Sequence, residues 1–195
     1  MPLLFIWRES KISFPLEYPT FCGWAANCTE AVGPAPFDLV HTRLVLLHVP
    51  QREQALERMI SALKPGGWLV VEEYDSESMP PDPFVSPGEV LLKAHAAMLR
   101  LFEDGGVDRR YGRSLFSRLR AHGLIEIGAE ARVFMFGGGS SGASPLKANF
   151  EQLRTAMIDR NYITPREFDE DLARLDNPDF MTPSGILWSA WGRRP

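Results

Sequence analysis

The stretch FDLVHTRLVLLHVPQREQALERMISALKPGGWLVVEEYD, residues 37–75, constrains the fold more than any other part of the chain. Phe37, Asp38, Leu39 and Val40 make a short buried-strand pattern, and over 51–63 the apolar positions Ala55, Leu56, Met59, Ile60 and Leu63 recur at helical spacing. Lys64-Pro65-Gly66-Gly67 then ends the helix, because proline cannot continue it and glycine accepts positive φ. Residues 68–75 follow as a mostly apolar run of strand length, the pattern expected of a parallel strand covered on both faces. Strand, helix, strand is one βαβ unit, and it predicts an α/β protein.

The flanks are less regular. Residues 1–36 hold Pro2, Pro15, Pro19, Pro34 and Pro36 among scattered aromatics with no sustained period, which predicts an irregular N-terminal segment before a domain over 37–195. Beyond a Pro-rich loop at 79–87, Val90, Leu91, Ala94, Met98, Leu101 and Phe102 form an apolar stripe on a helix stopped by Gly105-Gly106. A helix over 113–122 has Leu115, Phe116 and Leu119 inward and stops at Gly123. Residues 124–136 read as a strand bent or bulged at Gly128. A helix over 146–160 comes next. Thr164, Pro165 and Glu167 then predict a capping box at the start of another, with Phe168, Leu172 and Leu175 on one face. Residues 185–193 read as a closing strand.

Composition removes several classes of function. A net charge of −4 disfavours a nucleic-acid or anionic-membrane surface, which needs clustered Lys and Arg. Cys22 and Cys28 fit neither a zinc pair nor a disulfide scaffold, and read as unpaired thiols. The opening MPLLFIWRES has no basic residues ahead of its apolar run and no cleavage pattern, so it fails as a signal peptide. No stretch approaches the ~20 apolar residues of a membrane span. These features predict a cytoplasmic protein with no metal.

Residues 37–75 resemble the second half of the class I S-adenosylmethionine-dependent methyltransferase fold. FDLV is similar to that family's fourth strand, and LKPGGWLVVEE to its turn from a helix into the fifth. GLIEIGAEARVFMF then resembles strand six and ILWSAWGRR the antiparallel strand seven, so the resemblance covers about 37–195. It implies a Rossmann-like methyltransferase fold, truncated, with strands equivalent to 4–7 and flanking helices. It also implies S-adenosylmethionine as cofactor and methyl transfer to a small-molecule acceptor. In such enzymes strands one to three precede FDLV and carry a glycine-rich loop and an acidic residue for the ribose. Residues 1–36 offer neither, since Gly23 and Gly33 are isolated and Glu17 and Glu30 follow no strand. The competing reading is therefore a truncated, non-catalytic methyltransferase-like protein that does not bind the cofactor. Loss of the strand beside FDLV predicts an exposed apolar edge at 37–41 and a homodimer through it.

Ligands of open α/β sheets lie beyond the carboxyl ends of the strands. By resemblance, His41, Thr42 and Arg43 border the cofactor, and Glu72, Tyr74 and Asp75 the substrate. His48 and Glu73 are the candidate general bases for an acceptor that carries a proton. The competing readings are plain: Thr42 caps a turn, Arg43 pairs with a surface acid, Glu73 is a solvated strand end. His41 and His48 share one side of a helix if 42–48 is helical. The Val90–Phe102 stripe serves as core or as a lid over an apolar substrate. Gly137-x-Gly139-x-x-Gly142 matches a dinucleotide fingerprint, but 161–180 reads as a turn and a capped helix, not the second parallel strand with an acid about 20 residues on. A flexible loop is the better account of it.

Overall fold

The computed structural model describes residues 3–7, 37–78 and 91–195. In chain order the elements are β1 (Leu3–Trp7), β2 (Phe37–Arg43), a 3-10 turn (Leu46–His48), α1 (Arg52–Ser61), β3 (Leu63–Asp75), α2 (Lys93–Asp104), α3 (Tyr111–Ala121), β4 (Ile125–Arg132), β5 (Met135–Gly137), α4 (Ala143–Asp159), α5 (Pro165–Asp176), β6 (Met181–Pro183) and β7 (Ile186–Arg193). They divide into two units. The first comprises Met1–Asp75, Arg110–Ala131 and Leu187–Pro195, and the second Ser76–Arg109 and Arg132–Ile186. Cys22, Cys28, the loop 79–87 and Val90 lie outside the described residues.

The first unit is built on a five-stranded sheet in the order β1-β2-β3-β7-β4. Parallel pairing of β2 and β3 sets Leu39 against Trp68, His41 against Val70 and Arg43 against Glu72. Between Phe37, which faces Leu63, and Leu39 the register shifts, and Lys64 to Gly67 are absorbed as a bulge. Gly67 fits there because a Cβ would lie 2.9 Å from the Phe37 carbonyl oxygen. Helix α1 therefore ends at Ser61, two residues before the apolar spacing predicts, and the strand begins at Leu63.

Two expectations are corrected here. Residues 3–7 are a strand, not part of an irregular segment: β1 pairs antiparallel with β2, Leu3 opposite Arg43 and Trp7 opposite Leu39. The edge is thus covered over 39–43, which removes the premise for a homodimer through that stretch. The second concerns β3, which is not doubly buried. Leu69, Val71, Glu73 and Asp75 are buried, while Trp68, Val70, Glu72 and Tyr74 on the opposite face are half-buried. The apolar character of Trp68 and Val70 disguises the alternation.

Helix α3 lies directly on the buried face of β3. A Cβ on Gly112 would approach the Glu73 carbonyl oxygen to 2.5 Å, so only glycine permits this distance. Tyr111, Leu115 and Leu119 beside it have no exposed surface. Each leucine contributes about 1.5–3 kcal/mol of burial. The helix ends as its sequence predicts, at Gly123 with φ +79°.

The second unit holds α2, α4, α5 and an antiparallel pair of β5 and β6. Its core includes Ala94, Met98, Phe150, Met157, Phe168 and Leu175, so the stripe on α2 is core rather than lid, and Leu91 is exposed. Thr164 and Glu167 form the expected capping box on α5. Helix α2 has no side-chain cap of its own. The buried Asp171 of α5 takes its Ala94 N–H at 2.7 Å.

Residues 124–136 are two strands rather than one, since β4 joins the large sheet and β5 the small one. Gly128 makes room for the Trp191 ring, which a Cβ would meet at 2.4 Å. The glycines at 137–142 form a tight packed turn. A Cβ on Gly138 would strike the Asn177 carbonyl oxygen at 2.0 Å and one on Gly142 the Phe136 ring at 2.3 Å. The Gly138 and Gly139 amides donate to Phe180 and Leu175. Those donors serve the unit's own packing, not a phosphate.

Candidate active-site rim

The carboxyl ends of β2 and β3 belong to the first unit and carry every residue that the resemblance marks. Strand alternation sorts them into two layers. His41, Arg43, Glu72 and Tyr74 occupy the half-open face, and Thr42, Glu73 and Asp75 the buried one.

On the half-open face the polar groups are joined. Glu72 Oε2 accepts from His41 Nε2 at 3.0 Å, Ser189 Oγ of β7 donates to Glu72 Oε1 at 2.9 Å, and Arg43 Nη1 lies 3.8 Å from Oε2. Burial alone would raise the Glu72 pKa. The hydrogen bonds of Ser189 and His41 and the charge of Arg43 outweigh it and hold the carboxyl below its usual range. Tyr74 is half-buried, and burial pushes its hydroxyl up against the opposing charge of Arg43.

The buried layer is structural in its contacts. Glu73 has no exposed surface, and its Oε1 accepts the backbone N–H of Val45 at 2.9 Å and of Leu46 at 2.6 Å. It is thus not a solvated strand end: it caps the turn that leaves β2 after Leu44, a residue with φ +55°. Burial pushes its pKa up to about 7, against the pull of those amides and of Arg52. Its Oε2 and the Tyr111 hydroxyl are buried without a hydrogen-bond partner. The Arg52 and Arg118 guanidiniums lie 5.9 and 4.4 Å from the Tyr111 ring centroid. Asp75 is buried and receives Arg113 Nε of α3 at 2.6 Å. Thr42 has no exposed surface, and its hydroxyl caps nothing.

His48 is not on a common helix with His41, which lies in β2 while His48 closes the 3-10 turn. It reaches the surface, yet its ring is partly desolvated, and that desolvation, with the nearby charge of Arg52, lowers its pKa. Ser189 and Arg113 escape sequence reasoning. The only signal for Ser189 is a hydroxyl inside the apolar run ILWSAW.

A family model described as a methyltransferase domain matches residues 12–131. Methyltransferase str2 of Strobilurus tenacellus is 34% identical over 87 residues, 45% of this chain and 31% of that protein. Methyltransferase str3 of the same organism is 33% identical over 96 residues, 47% of this chain and 32% of that protein. The chain thus spans about a third of the length of these relatives. Among solved structures, Haemonchus contortus phosphoethanolamine N-methyltransferase 2 in complex with S-adenosyl-L-methionine has 14% identity, covers 86% of this chain and 36% of its own, and gives a TM-score of 0.43. A Bacillus halodurans methyltransferase has 14% identity over 87% of this chain and 69% of its own, with a TM-score of 0.47.

Proposed function

We propose, for a chain that belongs to the methyltransferase-domain family, that the rim of β2 and β3 is the acceptor side of a site for S-adenosylmethionine-dependent methyl transfer to a small molecule. The observation that carries this reading is the joined set His41, Glu72 and Ser189 at the carboxyl ends of the strands, the place where ligands of open α/β sheets bind.

The described residues do not fit the whole cofactor. Among the described residues of the first unit the positive-φ glycines are Gly66 and Gly123, at the amino end of β3 and after α3, away from the rim. The amides of Val45 and Leu46, which follow β2, already serve Glu73. When bound, S-adenosylmethionine supplies an electrophilic methyl group on a sulfonium. This chain's part is to hold and orient the acceptor, which is most of what a direct displacement needs from a protein. Thr42, Glu73 and Asp75 support the rim from behind, and His41, Arg43, Glu72 and Tyr74 face the acceptor.

Calorimetric titration of the folded 195-residue chain with S-adenosylhomocysteine tests the reading. Saturable binding is expected, and its absence in a folded sample overturns the methyl-transfer reading. The position of those glycines equally favours a second reading, a non-catalytic methyltransferase by descent. That reading predicts that neither cofactor nor an acceptor probe binds.

A further inference from the structure

We infer that Arg43 and Tyr74 form the seat for a carboxylate carried by the acceptor, which makes the acceptor class a small organic acid. This assignment rests on the methyl-transfer reading above and names what holds the acceptor at the rim.

The two side chains stand on the half-open face at the carboxyl ends of adjacent strands. Parallel pairing sets Arg43 against Glu72, and Tyr74 lies two residues further along β3 on the same face. With strands about 4.8 Å apart and a rise of about 6.6 Å over two residues, the two backbones stand about 8 Å apart, a gap that two long side chains close around one small anion. They are near enough for the Arg43 charge to act on the Tyr74 hydroxyl.

The donors of both are uncommitted. Arg43 Nη1 stays 3.8 Å from Glu72 Oε2, beyond hydrogen-bond length, and 44% of the Arg43 side chain is exposed. Glu72 is already satisfied, Oε2 by His41 and Oε1 by Ser189. Arg43 therefore balances the charge of Glu72 without giving it a hydrogen bond, and among the described residues nothing else accepts one from the guanidinium. A guanidinium presents its N–H groups as a planar fork, which takes a carboxylate with two parallel hydrogen bonds. The Tyr74 hydroxyl is half-buried and has no hydrogen-bond partner among the described residues. Burial raises its pKa against the pull of Arg43, so it keeps its proton and remains a donor to an anion. Two neighbouring arginines are placed otherwise: Arg113 Nε donates to Asp75, and Arg52 Nε to the Val49 carbonyl oxygen.

Charge selects the kind of anion. Glu72 is held ionised beside Arg43, so one cation faces one fixed negative charge before any ligand arrives. A carboxylate adds a single further negative charge, whereas a phosphate monoester adds close to two, and repulsion by Glu72 grows in proportion. Pinned by the fork of Arg43 and the hydroxyl of Tyr74, the acid loses its freedom to tumble before reaction.

Benzoate, its neutral counterpart benzamide, and phenyl phosphate are the probes. In titrations of the folded chain followed by nitrogen-15 NMR, benzoate should shift the Arg43 Nε–H signal saturably and benzamide should not. Arg43→Gln should weaken benzoate binding about tenfold and Tyr74→Phe about fivefold, with the thermal melts unchanged. Arg166→Gln, at an exposed arginine of the second unit, should leave it as it was. No saturable shift with benzoate, an equal shift with benzamide, tighter binding of phenyl phosphate than of benzoate, or benzoate affinity retained in folded Arg43→Gln overturns the seat. Repeating the titration with S-adenosylhomocysteine present separates the two sources of a carboxylate. Unchanged benzoate affinity leaves the seat to the acceptor, and competition gives it to the amino-acid end of the cofactor and overturns the assignment. Benzoate binding is read without cofactor, so failure of the seat and failure of the methyl-transfer reading, which cofactor titration decides, are separately visible.

Discussion

Glu73 Oε1 accepts the Leu46 backbone N–H at 2.6 Å, a bond from the middle strand of the sheet to the turn that leaves its neighbour. A side chain that looks from sequence like a solvated strand end is therefore the clamp that shapes one wall of the rim.

A pH effect on stability follows from that placement. A buried acid whose pKa rises on folding from 4.5 to about 7 holds more protons in the native chain than in the unfolded one across that window. Its contribution to stability is complete below about 4.5 and declines as pH rises through about 7. Against Glu73→Gln, which keeps an acceptor and cannot ionise, the native chain should lose up to about 3 kcal/mol between pH 4.5 and pH 8 in denaturant melts. Parallel stability profiles for the two proteins would refute this.

Removal of the acceptor has a different signature. Glu73→Ala orphans two buried amides, and a cost of about 2–4 kcal/mol is expected at every pH, with hydrogen exchange at Val45 and Leu46 accelerated first. Protection unchanged at those two amides would contradict the clamp.

Gly112→Ala tests the contact of α3 with β3. Its Cβ would lie 2.5 Å from the Glu73 carbonyl oxygen, and backbone cannot swing away as a flexible side chain does. A loss of about 1–3 kcal/mol is expected in chemical denaturation. A neutral result would mean that the helix stands further off the strand.

In the second unit, Thr164→Ala should cost about 1 kcal/mol through loss of the cap to the Glu167 N–H. Lys93 and then Thr164 hold the Glu167 carboxyl at about 2, so the stability it adds is present above pH 4.5 and lost as pH falls toward 2. An acid titration of wild type against Glu167→Gln reads it directly.

Gly138→Ala and Gly139→Val separate packing from cofactor recognition in the glycine turn. Both should lower the melting temperature, the first by collision with Asn177 and the second through its φ of +69°. Neither should alter the response of the chain to NAD or FAD, which is expected to be nil. A nucleotide-dependent rise in melting temperature that Gly139→Val abolishes would restore the dinucleotide reading.

What the sequence makes legible is what local chemistry decides. The capping box at Thr164, the stop at Gly123 and the strand at FDLV depend on neighbours within a few residues, and each stands where its signal puts it. Leu3–Trp7 carries the apolar run of a buried strand, yet five residues cannot announce their partner, and pairing with β2 is a fact about residues more than thirty positions away. The same limit hides Asp171 as the cap of α2, Ser189 as the brace of Glu72, and the parting of β4 from β5 into two sheets. At the rim, residue positions were readable but not their facing. The one-residue step between Glu72 and Glu73 sends one carboxylate to the half-open face and the other into the core.

The pairing of β1 with β2 also sets a rule of occupancy. A strand offers one row of backbone donors and acceptors on each side, and on the outer side of β2 that row belongs to residues 3–7. Any other segment that would lengthen the sheet there, from this chain or from a second molecule, must first evict them. Growth of the sheet past β2 is therefore an exchange reaction, and its free energy is the difference between two pairings rather than the full strength of either.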